Sequence, residues 1–347
     1  MVSTNLLDGA SPVALVFPGQ GSQFVGMGRR LYEASATART VFDEADDVLG
    51  FSLSGLCFDG PAEELDDTVN AQPAILTVST AALAALTELV AAAGGKLAPV
   101  VLAGHSLGEI TALMAAGVID FPSALRLVRE RGRLMKEAGE ERPGGMAAVI
   151  GLDEVLLAAV CAEAEGDGVI GVANANCPGQ TVISGELRAL QRAMDLAKER
   201  GAKRVAQLRI SIASHSPLMA RASSQLGELL ARVPLLAPQI PVIANVTGNA
   251  LTTVDEVRQE LAHHIERPVN WTRSVCGMVN SGVGTFVEVG PGDVLSGLIK
   301  RVSRDVTTLG LRDFGLSSDA RPNKEVVPAV PGVAATDSLA GSATTSI

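Results

Sequence analysis

The chain has 347 residues, 47% of them hydrophobic, and a formal net charge of -10. That apolar content excludes a disordered or fibrous chain and suits one large or two modest domains. The negative balance disfavours nucleic acid as the main partner, because phosphate binding wants a positive face, although local basic clusters still matter.

The N-terminal stretch MVSTNLLDGASP carries Asp8 and no basic region, so it is not read as a signal peptide. VALVFP (13–18) reads as a strand, and helices follow to about residue 95. Within them AILTVSTAALAALTELVAAAGG (74–95) is interrupted by Thr77, Ser79, Thr87 and Glu88, which predicts a buried helix and no membrane span. PVVLA (99–103) is the next strand, again followed by a helix, and this alternation is the α/β pattern. After the turn GEERPGG (139–145) the rhythm changes. MAAVIG (146–151), GVIGVAN (168–174), QTVISG (180–185) and KRVAQLR (203–209) read as strands, with helices over 153–165 and 186–201 opened by Asp153 and Ser184. Strand-helix-strand-strand-helix-strand in about 65 residues is the ferredoxin-like unit. IPVIANV (240–246) and GTFVEVGPG (284–292) resume the first pattern. The expected fold is therefore α/β. A hydrolase-like parallel-sheet core spans 12–139 and 209–316, and a small ferredoxin-like domain, 140–208, is inserted into it. The segment 317–347, rich in Ala, Ser, Thr, Pro and Val without helical period, is expected to be a disordered tail. The four cysteines, Cys57, Cys161, Cys177 and Cys276, form no CxxC pair. They point to neither a zinc site nor a disulfide framework and fit a reducing cytoplasm.

Chemistry concentrates at GHSLG (104–108), a G-x-S-x-G sequence between the strand PVVLA and the helix ITALMAAG. A serine hydroxyl is a weak nucleophile that needs a base and oxyanion donors. The strand-turn-helix setting is the nucleophile elbow, which projects Ser106 beyond the strand and offers the Leu107 amide to an oxyanion. Of the four histidines, His105 points away from Ser106 on a tight turn and is given a supporting role. His263 and His264 lie in the charged run EVRQELAHHIERP and read as a solvated or half-buried face. His215, among the small residues of ISIASHSPLM, is the candidate base, with a satisfied core histidine as the alternative. The glycine-rich FPGQGSQFVGMG (17–28) lacks both GxGxxG and GxxxxGK and so is no phosphate loop. A second oxyanion amide, from Gln20, fits its place after the first strand.

FPGQGSQFVGMG, TVNAQPAI (68–75), GHSLGE (104–109), RGRLM (131–135), VANANCPGQTVISG (172–185), SHSPLM (214–219), RPVNW (267–271) and FVEVGPGDVLSGLIKR (286–301) occur in this order. In them the chain, from about residue 12 to 312, resembles the malonyl-CoA:acyl carrier protein transacylase family and the acyltransferase domains of polyketide synthases. The resemblance implies Ser106 as acyl-accepting nucleophile, His215 as its base, and the amides of Gln20 and Leu107 as oxyanion hole. It implies that Arg131 grips the free carboxylate of a malonyl group, a role suited to a planar guanidinium that stays charged when desolvated. Read alone, Arg131 in LVRERGRLMKE is an ordinary surface arginine. The histidine would be oriented by a main-chain carbonyl at Asn270, where many relatives carry a larger polar residue. Asn174, Asn176 and Ser214 would line the substrate cleft, although each asparagine equally suits a turn.

The resemblance also implies malonyl-CoA as acyl donor, no bound cofactor, no metal, and an acidic, phosphopantetheinylated acyl carrier protein as partner, in fatty acid or polyketide biosynthesis. Lys203, Arg204, Lys300 and Arg301 match basic pairs flanking the cleft and form the expected docking surface, with solvated charges as the plainer reading. A cytoplasmic monomer is expected. Two rivals remain: a serine acyl hydrolase that clears stalled chains, against which Arg131 argues, and an idle carrier-binding subunit, against which the presence of Ser106 and His215 argues. For acyl choice, Leu107 fits malonyl-selective relatives, whereas IASH (212–215) resembles both malonyl enzymes and the YASH of methylmalonyl-selective domains.

Overall fold

The computed structural model describes residues 12–316. The expected tail, 317–347, lies outside the described residues. Among the described residues ten strands occur: β1 (Val13–Phe17), β2 (Val101–Gly104), β3 (Gly144–Ile150), β4 (Ile170–Cys177), β5 (Gln180–Glu186), β6 (Arg204–Gln207), β7 (Val242–Ile243), β8 (Ala250–Leu251), β9 (Thr285–Glu288) and β10 (Thr307–Leu309). The first sheet runs β10-β9-β1-β2-β7-β8. Its pairs are parallel apart from β7 with β8. β1 and β2 are buried along their whole length, as expected of central strands covered by helices on both faces. β8 and β10 escape the sequence reading because two or three residues are too short to display an alternation.

One covering layer contains the helices Ala36–Leu49, Thr68–Ala92 and Phe121–Glu141 packed on one another. Asp67 caps Thr68–Ala92 by accepting a hydrogen bond from the Val69 amide. This helix is long and apolar enough to cross a membrane, yet most of it is buried in the fold, including Ala74, Ile75, Leu76 and Val78.

The second sheet runs β4-β5-β3-β6 with every pair antiparallel. In chain order its strands stand second, third, first, fourth, the ferredoxin-like arrangement. Period-two alternation builds it. Ala147 and Val149 pack with Leu157, Val160 and Leu190 of the helices Glu154–Ala164 and Leu187–Glu199, whereas Met146 and Ala148 join Val182 and Leu208 on the other face. Main-chain bonds from Ala175 to Val269 and from Val269 to Ala173 stitch β4 to the loop before the helix Trp271–Asn280. They bring one edge of the small sheet against the carboxyl ends of β1 and β2, where open parallel sheets place their ligand crevices.

Candidate active site

β2 ends in a turn that only glycine permits at its two shoulders. A Cβ on Gly104 would sit 1.9 Å from the Gly108 carbonyl, and one on Gly108 would sit 2.0 Å from the Phe17 oxygen. The helix Leu107–Ala115 therefore starts hard against β1 and β2, and Ser106 is forced to φ 50°. His215, at φ 57°, is the other non-glycine residue with positive φ among the described residues. Backbone strain of this kind collects at functional sites, and here it falls on the two residues singled out for nucleophile and base. The Ser106 amide donates to Asn245 Oδ1 at 2.7 Å, and Asn245 Nδ2 donates to the Gly104 carbonyl at 2.6 Å. Asn245 was missed in the sequence, although its place just past β7, at the carboxyl end of a parallel strand, is a signal.

Ser106 Oγ lies 2.8 Å from His215 Nε2. The other ring nitrogen, Nδ1, lies 2.9 Å from the Arg267 carbonyl. A carbonyl only accepts, so Nδ1 carries the proton and Nε2 offers its lone pair to the serine hydroxyl. The orienting carbonyl is thus that of Arg267, and the expectation of Asn270 is corrected. Asn270 precedes the helix Trp271–Asn280, and its carbonyl already accepts the Ser274 amide at 3.0 Å as the first helical bond. Its side chain donates to the Val246 carbonyl. Burial, with the neighbouring His264 ring and the Arg131 cation behind it, holds His215 well below the usual histidine range, so the ring is neutral at neutral pH. Because the neutral ring is the base, the acid limb of kcat/KM is expected below pH 6.5, with activity falling as pH falls through that lower value. A pH profile of acylation checks this, and a limb at or above the ordinary histidine value contradicts it.

Arg131 is 1% exposed. Its helix comes within reach of the site because Gly132 lies against the main chain of Thr68, where a Cβ would meet the carbonyl oxygen at 2.6 Å. Arg131 Nη1 donates to Gln72 Oε1 at 2.7 Å, and Nη2 donates to Ser106 Oγ at 3.1 Å. Its Nε has no partner. Among the described residues no carboxylate forms a salt bridge with it. Burial pulls the group down to about 10, opposed by the charge of Glu109, which leaves it a cation at neutral pH. A buried cation without a contacting anion is costly, and one whose Nη2 faces the nucleophile is a standing receptor for a carboxylate.

Gln20 follows β1, and its side-chain oxygen accepts from Thr68 Oγ1 at 2.8 Å, which in turn accepts from Gln72 Nε2 at 2.9 Å. Thr68 and Gln72, four apart on one helix face, thereby link the Gln20 loop to Arg131. Neither was named beforehand; two buried polar residues one turn apart on an apolar helix were the available sign. The Leu107 amide heads its helix and is one of the donors a helix start leaves free.

His105 turns away from Ser106: its Nε2 donates to Asn176 Oδ1 at 2.8 Å, and its ring meets Trp271 edge-on at 5.7 Å. Asn174 lies in the stretch of β4 bridged to Val269, and Ser214 is half-buried beside His215. The reading of His264 is corrected. His263 is exposed and paired with Glu266, but His264 is buried beneath the site, 6.0 Å ring to ring from His215. Adjacent residues at a helix end point about 100° apart, so one of the pair faces inward. Lys203 and Arg204 are exposed at the start of β6. Arg204 pairs across the sheet with Ile150, and Ile150 with Gln180, whose side chain accepts from Arg301. Lys300 bends onto the Val306 carbonyl. Among the described residues no group of three His, Cys, Asp or Glu side chains is placed to hold a metal ion.

The strained Ser106 thus stands at the carboxyl end of the α/β sheet with a neutral histidine base on one side and a buried guanidinium on the other, an arrangement suited to carrying an acyl group. The acyl transferase domain family matches residues 14–330. The malonyl CoA-acyl carrier protein transacylase of Bacillus subtilis is 44% identical over 304 residues, covering 87% of this chain and 94% of the relative. An acyl carrier protein S-malonyltransferase from Vibrio cholerae superposes with a TM-score of 0.81 at 44% identity, over 86% of this chain and 96% of that one. The malonyl-transacylase of a type II polyketide synthase, solved in complex with its acyl-carrier protein, gives 0.83 at 41% identity, over 88% and 98%. The chain belongs to the acyl transferase domain family, in its malonyl CoA-acyl carrier protein transacylase branch.

Proposed function

We propose that this enzyme moves a malonyl group from CoA to the phosphopantetheine thiol of an acyl carrier protein. Ser106 Oγ attacks the thioester carbonyl and gives its proton to His215 Nε2. The oxyanion collects at the Leu107 and Gln20 amides, and CoA leaves as a thiol with the proton returned by His215. The carrier thiol then attacks the Ser106 ester, with His215 accepting and returning a proton in the same way. One observation carries the malonyl assignment: Arg131 is buried without a contacting carboxylate, and its Nη2 lies 3.1 Å from Ser106 Oγ. A malonyl group on that oxygen carries its carboxylate one methylene beyond the ester carbonyl, within the compass of this guanidinium. Asn174, Asn176 and Ser214 border the cleft in this reading. The segment 140–208 forms its own unit, supported by a sheet with its own apolar cluster. Free cysteines, three of them buried, suit a reducing cytoplasm, and the enzyme works there as a monomer.

The carrier is expected at the end of the small sheet where Lys203 and Arg204 stand and where Arg301, on the helix Val294–Val302, reaches Gln180, because those cations would complement an acidic partner on an otherwise acidic enzyme. Charge reversal by Lys203→Glu and Arg204→Glu is expected to raise the apparent KM for carrier protein about five- to tenfold, an effect of the size rim charges give. Acylation of the enzyme by malonyl-CoA alone should stay within about twofold, since the reacting groups are untouched. Steady-state transfer and single-turnover acylation, measured side by side, check both halves. Parallel loss in the two assays contradicts the docking assignment.

A further inference from the structure

His264 stands at the end of the helix Val254–His263, on the loop that also supplies the Ile265 carbonyl to the His215 amide and the Arg267 carbonyl to His215 Nδ1. Its ring lies between the side chains of Arg131 and Glu109. His264 Nδ1 is 3.4 Å from Arg131 Nη2, and Nε2 is 3.3 Å from Glu109 Oε2. All three residues are buried. We propose that His264 is a positioning residue for Arg131, holding the guanidinium toward Ser106 from behind and thereby setting the preference for carboxylated acyl donors. The inference rests on the reading of Arg131 as the carboxylate receptor.

The donor inventory fixes the tautomer. A guanidinium has only N–H groups to offer, so His264 Nδ1 must present a lone pair to Arg131, and Nε2 carries the ring hydrogen; Nε2 lies near Glu109 Oε2 but makes no hydrogen bond to it. Glu109 Oε2 accepts the Asn245 amide at 3.0 Å. Burial keeps the His264 ring neutral, and burial lifts the Glu109 carboxyl to about 8, so neither neutralises Arg131 near pH 7. The contact with Arg131 matters most once chemistry begins. In the free enzyme Arg131 Nη2 has two acceptors, Ser106 Oγ and His264 Nδ1. After acylation Ser106 Oγ is an ester oxygen, a poorer acceptor, and His264 becomes the main protein group holding that end of the guanidinium while the rest faces the acyl carboxylate. An apolar residue at 264 would leave Nη2 free to swing from the nucleophile. An uncarboxylated acyl chain makes no use of the orientation.

The test measures acylation kcat/KM with malonyl-CoA and with acetyl-CoA for the native enzyme, His264→Leu, His264→Gln and Arg131→Ala. His264→Leu is expected to lower the malonyl value about tenfold to hundredfold, the usual effect of losing a hydrogen bond to a charged group, and to leave the acetyl value within about threefold. His264→Gln, whose amide oxygen offers Arg131 the acceptor that Nδ1 supplies, should recover the malonyl value to within about threefold of native. Parallel loss with both donors, or equal damage in the Leu and Gln variants, overturns the proposal. Arg131→Ala separates the two readings: if it keeps the malonyl preference, Arg131 is not the receptor, whereas if it loses the preference and His264→Leu keeps it, only the role of His264 falls. Should His264→Leu not fold, imidazole nitrogen NMR of the native enzyme decides. A bare Nδ1 and protonated Nε2 on His264, with the Nδ1 signal shifting in Arg131→Ala, supports the proposal; the opposite tautomer or an unmoved signal overturns it.

Discussion

Ser106→Ala is expected to lower malonyl transfer by roughly four to six orders of magnitude, the range in which loss of a serine nucleophile from an intact oxyanion site falls. The size follows from the geometry, because among the described residues Ser106 Oγ is the one atom that meets both the His215 base at 2.8 Å and the Arg131 guanidinium at 3.1 Å. No other hydroxyl replaces it: Ser214 is only half-buried beside the base, and the Ser216 hydroxyl donates to the Ala213 carbonyl. Alanine must adopt the same φ of 50° that serine already tolerates, so the fold should survive and the residual rate report the amides and binding alone. CoA release and carrier loading, followed together, check it. A variant retaining more than about a hundredth of native transfer would mean that the elbow serine is not the acyl carrier.

Arg131→Ala carries the second large effect. Removing one partner of a buried, hydrogen-bonded charge pair costs about 3–5 kcal/mol. Acylation by malonyl-CoA should therefore fall about a hundredfold to several thousandfold, with little change for acetyl-CoA. The acyl-enzyme that does form has lost the group that holds its carboxylate, so the ratio of hydrolysis to transfer should rise. Arg131→Lys is not expected to rescue either property, because a single ammonium cannot meet Gln72, Ser106 and His264 together as the guanidinium fork does. Malonyl and acetyl acylation rates, with free malonate measured alongside loaded carrier, test the assignment. Unchanged donor preference and an unchanged hydrolysis ratio would remove Arg131 from the substrate site.

What was readable beforehand followed local rules. Gly104 and Gly108 mark the elbow because close backbone approach excludes a Cβ there. The small sheet was legible as strand-helix-strand-strand-helix-strand because its faces alternate cleanly and Asp153 caps its first helix. Arg131 was more legible than a surface reading allowed. Leu127, Val128, Leu134 and Met135 lie three and four residues to either side of it, so helical periodicity centres Arg131 on the buried stripe. Arg133 falls off that stripe and pairs with Glu130 and Glu137 at the surface. The Arg267 carbonyl and the Asn245 clamp were not legible, since each depends on which distant loop crosses beneath the elbow. His264 was hidden by its charged neighbours, whose composition said surface while the helix phase allowed one histidine inward.

The most direct measurement is the intact mass of the enzyme after brief mixing with malonyl-CoA, followed by addition of phosphopantetheinylated carrier protein. The expected record is a gain of one malonyl group, located to the peptide containing Ser106 and absent from Ser106→Ala, which disappears as the carrier gains the same mass. No adduct with malonyl-CoA, or an adduct that persists in Ser106→Ala or never passes to the carrier, would contradict a malonyl-serine intermediate on the way to a carrier thiol.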